Sequence, residues 1–245
     1  MAEFKDVYES VSNVNGWMTR DQARRLWDRA RELAAGERIV EIGSFQGRSM
    51  IVLASAAEDG VELYAIDPHG GNDRGPQEIE GFKQEAEDDN RIFNENLKRA
   101  GVADRVTHIR KFSDLAHDDV AGPIDLLYVD GAHRLAPASK DMREWGSRVV
   151  DGGHMLVHDS FSSIGVTMAL AATTFWSYDW TYEGRSQSMT QFVKGRTTRG
   201  QRVRSLGRQL AQLPYFATNV LYKVLISLKL TSLAKALGST GEWPY

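Results

Sequence analysis

The sequence contains no cysteine among its 245 residues. Disulfides, thiolate nucleophiles and thiolate metal sites are therefore excluded, and any metal must be held by carboxylates, histidines and water. No apolar run is long enough to cross a membrane uninterrupted, because the most apolar region, Leu210 to Leu237, is broken by Lys223, Lys229 and Lys235. The opening residues, MAEFKDVYES, carry acids and lack the apolar segment of a secretory signal, so a cytoplasmic setting is expected. Acid is scarce in one place only. From Lys194 onward nine basic residues face the single acid Glu242, which makes this segment +8 and the preceding body −11 within a net charge of −3. With 42% hydrophobic and 26% charged residues, the whole chain has the length and composition of one large α/β domain with additions.

The G-x-G-x-x-G of dinucleotide sites is also missing from the first glycine turn. In its place stands Arg38 to Ser49, RIVEIGSFQGRS, an apolar run that breaks at Gly43-Ser44 and resumes after Gly47 in a helical pattern. Strand, tight turn and helix follow in that order. Gly43 and Gly47 lack a Cβ where backbone is expected to approach a ligand at a helix start. A second apolar run, Val61 to Ile66, ends in Asp67, 24 residues beyond Gly43. In a βαβ unit this acid stands at the tip of the neighbouring strand, where it can accept hydrogen bonds from the two hydroxyls of a ribose. A nucleoside-bearing cofactor is the first expectation.

The E-x-G-x-x-x-G pattern resembles the first motif of class I S-adenosylmethionine-dependent methyltransferases, on Glu41, Gly43, Ser44, Gly47 and Asp67. The resemblance implies that the turn holds the methionine part of the donor and Asp67 the ribose. It also implies that Ser113 and Asp114, after a third strand at Val106–Arg110, contact adenine.

Elsewhere, apolar spacing predicts a helix over Arg20 to Ala35 capped by Thr19, with Trp17 and Met18 before it as core residues or as a cover for the cofactor pocket. A polar loop from Pro68 to Pro76, holding His69, Asn72, Asp73 and Arg74, is a candidate lid, and His69 is placed among the cofactor contacts. A helical pattern from Ile79 to Ala100 is expected to break near Asp88-Asp89-Asn90, and His108 reads as a packed structural residue. Further strands are predicted at Ile124–Asp130 and His154–Asp159, helices at Pro137–Val150 and Ile164–Trp176, and a closing hairpin at Tyr178–Gly184 and Met189–Lys194. This order predicts an α/β fold with a Rossmann-like, seven-stranded, mostly parallel sheet, helices on both faces and one antiparallel strand. The domain is expected over residues 1–195, N-terminal cap included, with a basic helical extension over 196–245.

In such a sheet the carboxyl ends of the strands face one crevice, so Asp130 and the pair His158-Asp159 should converge. Those three groups suit a hard cation, Mg²⁺ or in its place Mn²⁺. His133, three residues past Asp130, can take a proton beside that metal. This D-x-x-H followed by a ligand pair is similar to the metal-dependent sugar O-methyltransferases of macrolide biosynthesis. The similarity implies Asp130, His158 and Asp159 as ligands and His133 as base, although those relatives carry a carboxylate where this chain has His158. The expected acceptor is a sugar hydroxyl of a glycoside or oligosaccharide, with a catechol or other phenol, or a non-catalytic cofactor-binding protein, as the rival readings. In the extension, the stretch Arg196 to Arg208 lacks aromatic interleaving, which disfavours nucleic acid. The apolar part that follows is expected to form a homodimer contact or to pack on the chain itself, with a membrane surface as the other choice.

Overall fold

The computed structural model describes residues 2–70 and 82–240, with 82–86 described for backbone alone. Asn72, Asp73 and Arg74 of the predicted lid, Ile79 of the helix after it, and Glu242 lie outside the described residues.

Two N-terminal helices, α1 (Phe4–Ser10) and α2 (Arg20–Ala30), precede the first strand. Thr19 caps α2 as predicted, in a capping box with Gln22. The chain then alternates through β1 (Arg38–Ile42), α3 (Arg48–Ala56), β2 (Glu62–Ile66), α4 (Phe82–Arg99), β3 (Val106–Ile109), β4 (Ile124–Val129), α5 (Leu135–Ser147), β5 (Val149–Val157) and α6 (Ile164–Thr173). It closes with the hairpin of β6 (Trp180–Ser186) and β7 (Met189–Lys194). The sheet runs β3-β2-β1-β4-β5-β7-β6, parallel except for β7, which pairs antiparallel with both neighbours. Alternate strand residues feed two cores. Ile39, Leu63 and Leu126 pack with α2, α3 and α4 on one face, while Val40, Ile42 and Leu127 pack with α5 and α6 on the other.

Two element expectations are corrected. Helix α4 runs unbroken through Asp88-Asp89-Asn90, where Arg91 pairs with Asp88 and Glu95 along one face. Strand β5 begins at Val149 rather than His154, because Gly152 and Gly153 lie inside the strand where its pairing with β4 slips register. A Cβ on Gly153 would stand 2.8 Å from the Asp125 carbonyl oxygen, so glycine lets the two strands close across the irregularity.

The extension forms α7 (Arg199–Leu210), α8 (Leu213–Ser227) and α9 (Thr231–Ala236). Helix α7 covers the edge strand β6. The Tyr182 amide donates to Ser205 Oγ (3.1 Å), and Arg208 donates to the carbonyls of Tyr182 (3.0 Å) and Glu183 (2.7 Å). Helix α8 reaches the loop after β5: Asn219 donates to the Phe161 carbonyl (3.0 Å) and Lys223 to that of Ser162 (2.9 Å).

At the centre of β1, Glu41 is fully buried, and neither carboxylate oxygen has a hydrogen-bond partner of normal geometry among the described residues. Burial lifts its carboxyl from the ordinary 4.5 to about 8; the Ser49 and Ser44 hydroxyls oppose the rise, and the Asp130 and Asp67 charges add to it. Folded protein therefore keeps a proton that the unfolded chain releases between pH 4.5 and about 8, so stability from this site falls as pH rises through that window. Thermal unfolding of Glu41→Gln is expected to match wild type near pH 4.5 and to exceed it at pH 8 by at least about 1 kcal/mol. Equal pH dependence in the two proteins would show that Glu41 ionises freely.

Candidate active site

The turn after β1 is built by packing within the protein. Gly43 has φ +86°, and a Cβ there would lie 2.6 Å from the Asp130 carbonyl carbon and 2.8 Å from Gly131 Cα. Gly47 has φ +87°, and its Cβ would lie 2.6 Å from Leu97 Cδ1. Packing alone therefore requires both glycines, Gly43 against the β4 terminus and Gly47 against α4. Asp67 braces the turn from β2. Its Oδ2 accepts from the Phe45 amide (2.8 Å) and its Oδ1 from the His69 amide (2.7 Å). Each bonded residue holds a left-handed backbone, at φ +43° and +42°, so the carboxylate stabilises a strained bend at the cleft wall.

Above the carboxyl ends of β1, β2 and β4 opens a cleft of about 990 Å³, lined by Gly43, Ser44, Asp67, Asp130 and His133 among others. Glu41 and Gly47 stand below its surface and take no part in the lining. The N-terminal segment closes one side. Trp17 lies against Phe45 with ring centroids 5.5 Å apart, and both Trp17 and the buried Met18 line the cleft. Opposite, Phe112, Ser113, Asp114 and Leu115 form the far wall. Ser113 Oγ donates to Asp141 Oδ1 (2.5 Å), and burial raises the Asp141 carboxyl to about 6; Asp114 pairs with Lys140 at 3.1 Å. His69 borders the cleft, but its ring is buried beside Phe93 and 3.2 Å from His108, Nε2 to Nε2. Burial lowers both imidazoles, His108 to about 4, so this pair stays neutral and serves as wall.

The register of the central strands brings together the groups predicted beyond the donor turn. Val129 pairs with Val157, and the His158 amide donates to the Val129 carbonyl (2.9 Å), which sets Asp130 beside His158. Asp130 Oδ2 accepts from the buried Tyr128 hydroxyl (3.0 Å), and His133 Nε2 lies 2.5 Å from Asp159 Oδ2. Asp130, His133 and Asp159 each offer a ligand atom within 4.8 Å of the others.

His158 does not join that set. It is buried beneath, with Nδ1 3.2 Å from Asp130 Oδ1 and 3.6 Å from Asp159 Oδ1. Burial alone would lower its pKa, but the two carboxylates raise it well above the ordinary value. Neither ring nitrogen is aligned for a hydrogen bond, so the attraction is chiefly coulombic. His158 thus sits between the two predicted acids, and His133 is the histidine that converges with Asp130 and Asp159 within ligand distance. Asp159 stays ionised: burial pushes its carboxyl up, and His158 and His133 together hold it well below the ordinary value.

Sequence reading missed Tyr128, Asp141 and the α8 pair Asn219 and Lys223. Asp159 (φ +55°) and Phe161 (φ +58°) both have left-handed backbones, and α8 anchors the carbonyls of Phe161 and Ser162 in this strained loop. No sequence pattern links residue 219 to residue 161. Tyr128 was visible as an apolar strand residue, but its role follows from its register beside Asp130.

A family model described as a methyltransferase domain matches residues 40–160. Similar solved structures include the methyltransferase PaMTH1 of Podospora anserina bound to S-adenosylhomocysteine, at 16% identity and a TM-score of 0.58, covering 78% of this chain and 87% of that one. The O-methyltransferase TomG of Streptomyces achromogenes, which is involved in tomaymycin synthesis and was solved with S-adenosylmethionine, is 18% identical with a TM-score of 0.52, covering 78% and 89%. The O-methyltransferase NovP is 14% identical with a TM-score of 0.56, covering 79% and 89%. At such identities the likeness establishes the fold.

Each Asp67 oxygen accepts one amide and has lone-pair capacity left for a ribose hydroxyl. Asp67→Ala removes both this acceptor and the brace of the bend. Calorimetric titration with S-adenosylhomocysteine is expected to show affinity weakened at least about tenfold, and an unchanged isotherm would refute the assignment.

Proposed function

The chain carries a class I S-adenosylmethionine-dependent methyltransferase domain, and from that we propose that it methylates a sugar hydroxyl of a glycoside or oligosaccharide, with His133 as general base. The observation that carries this reading is the 2.5 Å contact of His133, which lines the cleft with Asp130 and the donor turn, with the buried Asp159 behind it. The carboxylate orients the imidazole and compensates the charge it gains on taking the acceptor's proton.

When bound, S-adenosylmethionine supplies an electrophilic methyl group on a cationic sulfur. The chain's contribution is to hold the acceptor oxygen in line with that methyl and to keep water away. Trp17 and Phe45 lie towards the donor turn, since the Phe45 amide is bonded to Asp67. The other end of the cleft is lined by Asp130, His133 and Arg134. Polar lining of this kind suits a polyol better than a phenol, which favours the sugar.

A sugar hydroxyl is a weak acid, and a dication acidifies it and fixes its position. Mg²⁺, or Mn²⁺ in its place, would be held by Asp130 and Asp159, as Mg²⁺ is commonly bound through one or two carboxylates and water. His133 cannot be both ligand and base through one nitrogen, and we assign it the base.

Transfer of radiolabelled methyl to a panel of methyl glycosides, with a catechol alongside, tests the acceptor; labelling of the catechol alone would overturn the sugar reading. EDTA is expected to abolish transfer and Mg²⁺ to restore it, whereas full activity in chelator would remove the cation and leave the base. His133→Ala should lower kcat by about 10²-fold or more while binding S-adenosylhomocysteine like wild type; a loss of donor binding instead would place His133 in the wrong half of the cleft.

A further inference from the structure

Helix α8 packs Leu225 inward but also turns polar groups to the protein and an apolar row to solvent. A surface helix ordinarily turns its apolar side to the core and its polar side to solvent. Here the residues turned inward include Asn219, which is buried, and Lys223, both donating to the loop that carries Asp159. The outward row is Leu213, Ala217, Leu221, Val224 and Leu228, spaced by three and four residues as one helical stripe. Leu221 is 46% exposed, Val224 48% and Leu228 63%. Helix α9 continues the stripe with Leu233 and Leu237, also exposed. Buried polar donors on the inner side fix the helix's rotation, so it cannot roll to hide the leucines without breaking its contacts with the loop.

The charge around this face identifies what covers it. Between Glu183 and Glu242 the chain has no acid and ten basic residues. Lys229 and Lys235 stand exposed within the α8–α9 segment itself. Two copies meeting symmetrically through this face would set lysines of one against lysines of the other, with no acid from this segment to pair them. Nucleic acid would meet the basic charge but leave the leucines in water. An anionic lipid surface satisfies both, with leucines entering the acyl boundary and long lysine side chains reaching the headgroups. No helix among the described residues is long and apolar enough to span a bilayer, so the contact is with the surface of one.

We propose that the outer face of α8 and α9 is a docking surface for an anionic lipid bilayer. Docking is independent of the acceptor reading. Helix α8 touches the loop of Asp159 with one face and offers the other to lipid, so the cleft is held next to the bilayer.

The test is flotation of the full chain with vesicles of phosphatidylcholine alone and with about one-third phosphatidylglycerol. Wild type is expected to float with the anionic vesicles, less so as salt rises, and weakly or not at all with the neutral ones. The double variant Leu221→Asp, Leu228→Asp should lower partitioning at least about tenfold while its melting temperature and S-adenosylhomocysteine binding stay at wild-type values. Lys229→Glu with Lys235→Glu should remove the preference for anionic vesicles. Absence of flotation with anionic vesicles, or flotation undiminished in the leucine variant, would overturn the proposal. A dimer in sedimentation velocity that the leucine variant dissolves, without vesicle binding by wild type, would assign the face to a second copy instead.

Discussion

The whole site depends on three parallel strands ending level. The Asp130 amide donates to the Ile42 carbonyl (2.8 Å) and the His158 amide to the Val129 carbonyl (2.9 Å), so β1, β4 and β5 release their chains at one height. Gly43 lets the first and second of these ends touch backbone to backbone. A side chain there would force β1 and β4 apart and separate the donor turn from Asp130. The glycine turn after β1 and the Asp130–His158 pair are therefore one construction, set by sheet register rather than by two independent loops.

Electrostatics then sorts the ionisable groups by depth. Near the centre, Glu41 is buried without a charged partner and holds a proton up to about pH 8. One strand further, Asp130 and Asp159 share the buried His158, and the cation of that imidazole keeps Asp159 ionised. At the rim His133 meets Asp159. Buried acids are thus either neutralised by a proton, as at Glu41, or compensated by a cation, as at Asp159. His158, lying between the two acids, supplies that compensation.

The extension is joined to the same construction. Helix α7 seals the exposed edge of β6, and α8 holds the carbonyls of the strained loop behind Asp159. Asn219 and Lys223 are committed inward, and the row of Leu221, Val224 and Leu228 is left outward. One geometric requirement, anchoring the loop, thereby produces a surface with a second use.

Much of this was legible in the chain. Apolar runs ending in Asp67, Asp130 and Asp159 announced strand tips, and glycines at 43 and 47 announced the turn, because periodicity and backbone freedom are local properties that a few neighbouring residues express. The fold followed from the alternation of such runs. What the glycines face was not local: both answer to residues more than forty positions away. The place of each histidine was likewise decided by tertiary structure, since His133 follows Asp130 by three residues, His158 adjoins Asp159, and only the β4–β5 register shows which is covered and which reaches the rim. The tail's composition declared an amphipathic basic helix, but which side faces inward depended on Asn219 meeting Phe161, a contact across 58 residues. Local chemistry determined the elements and the kinds of groups at their ends, and packing at a distance decided which of those groups meet.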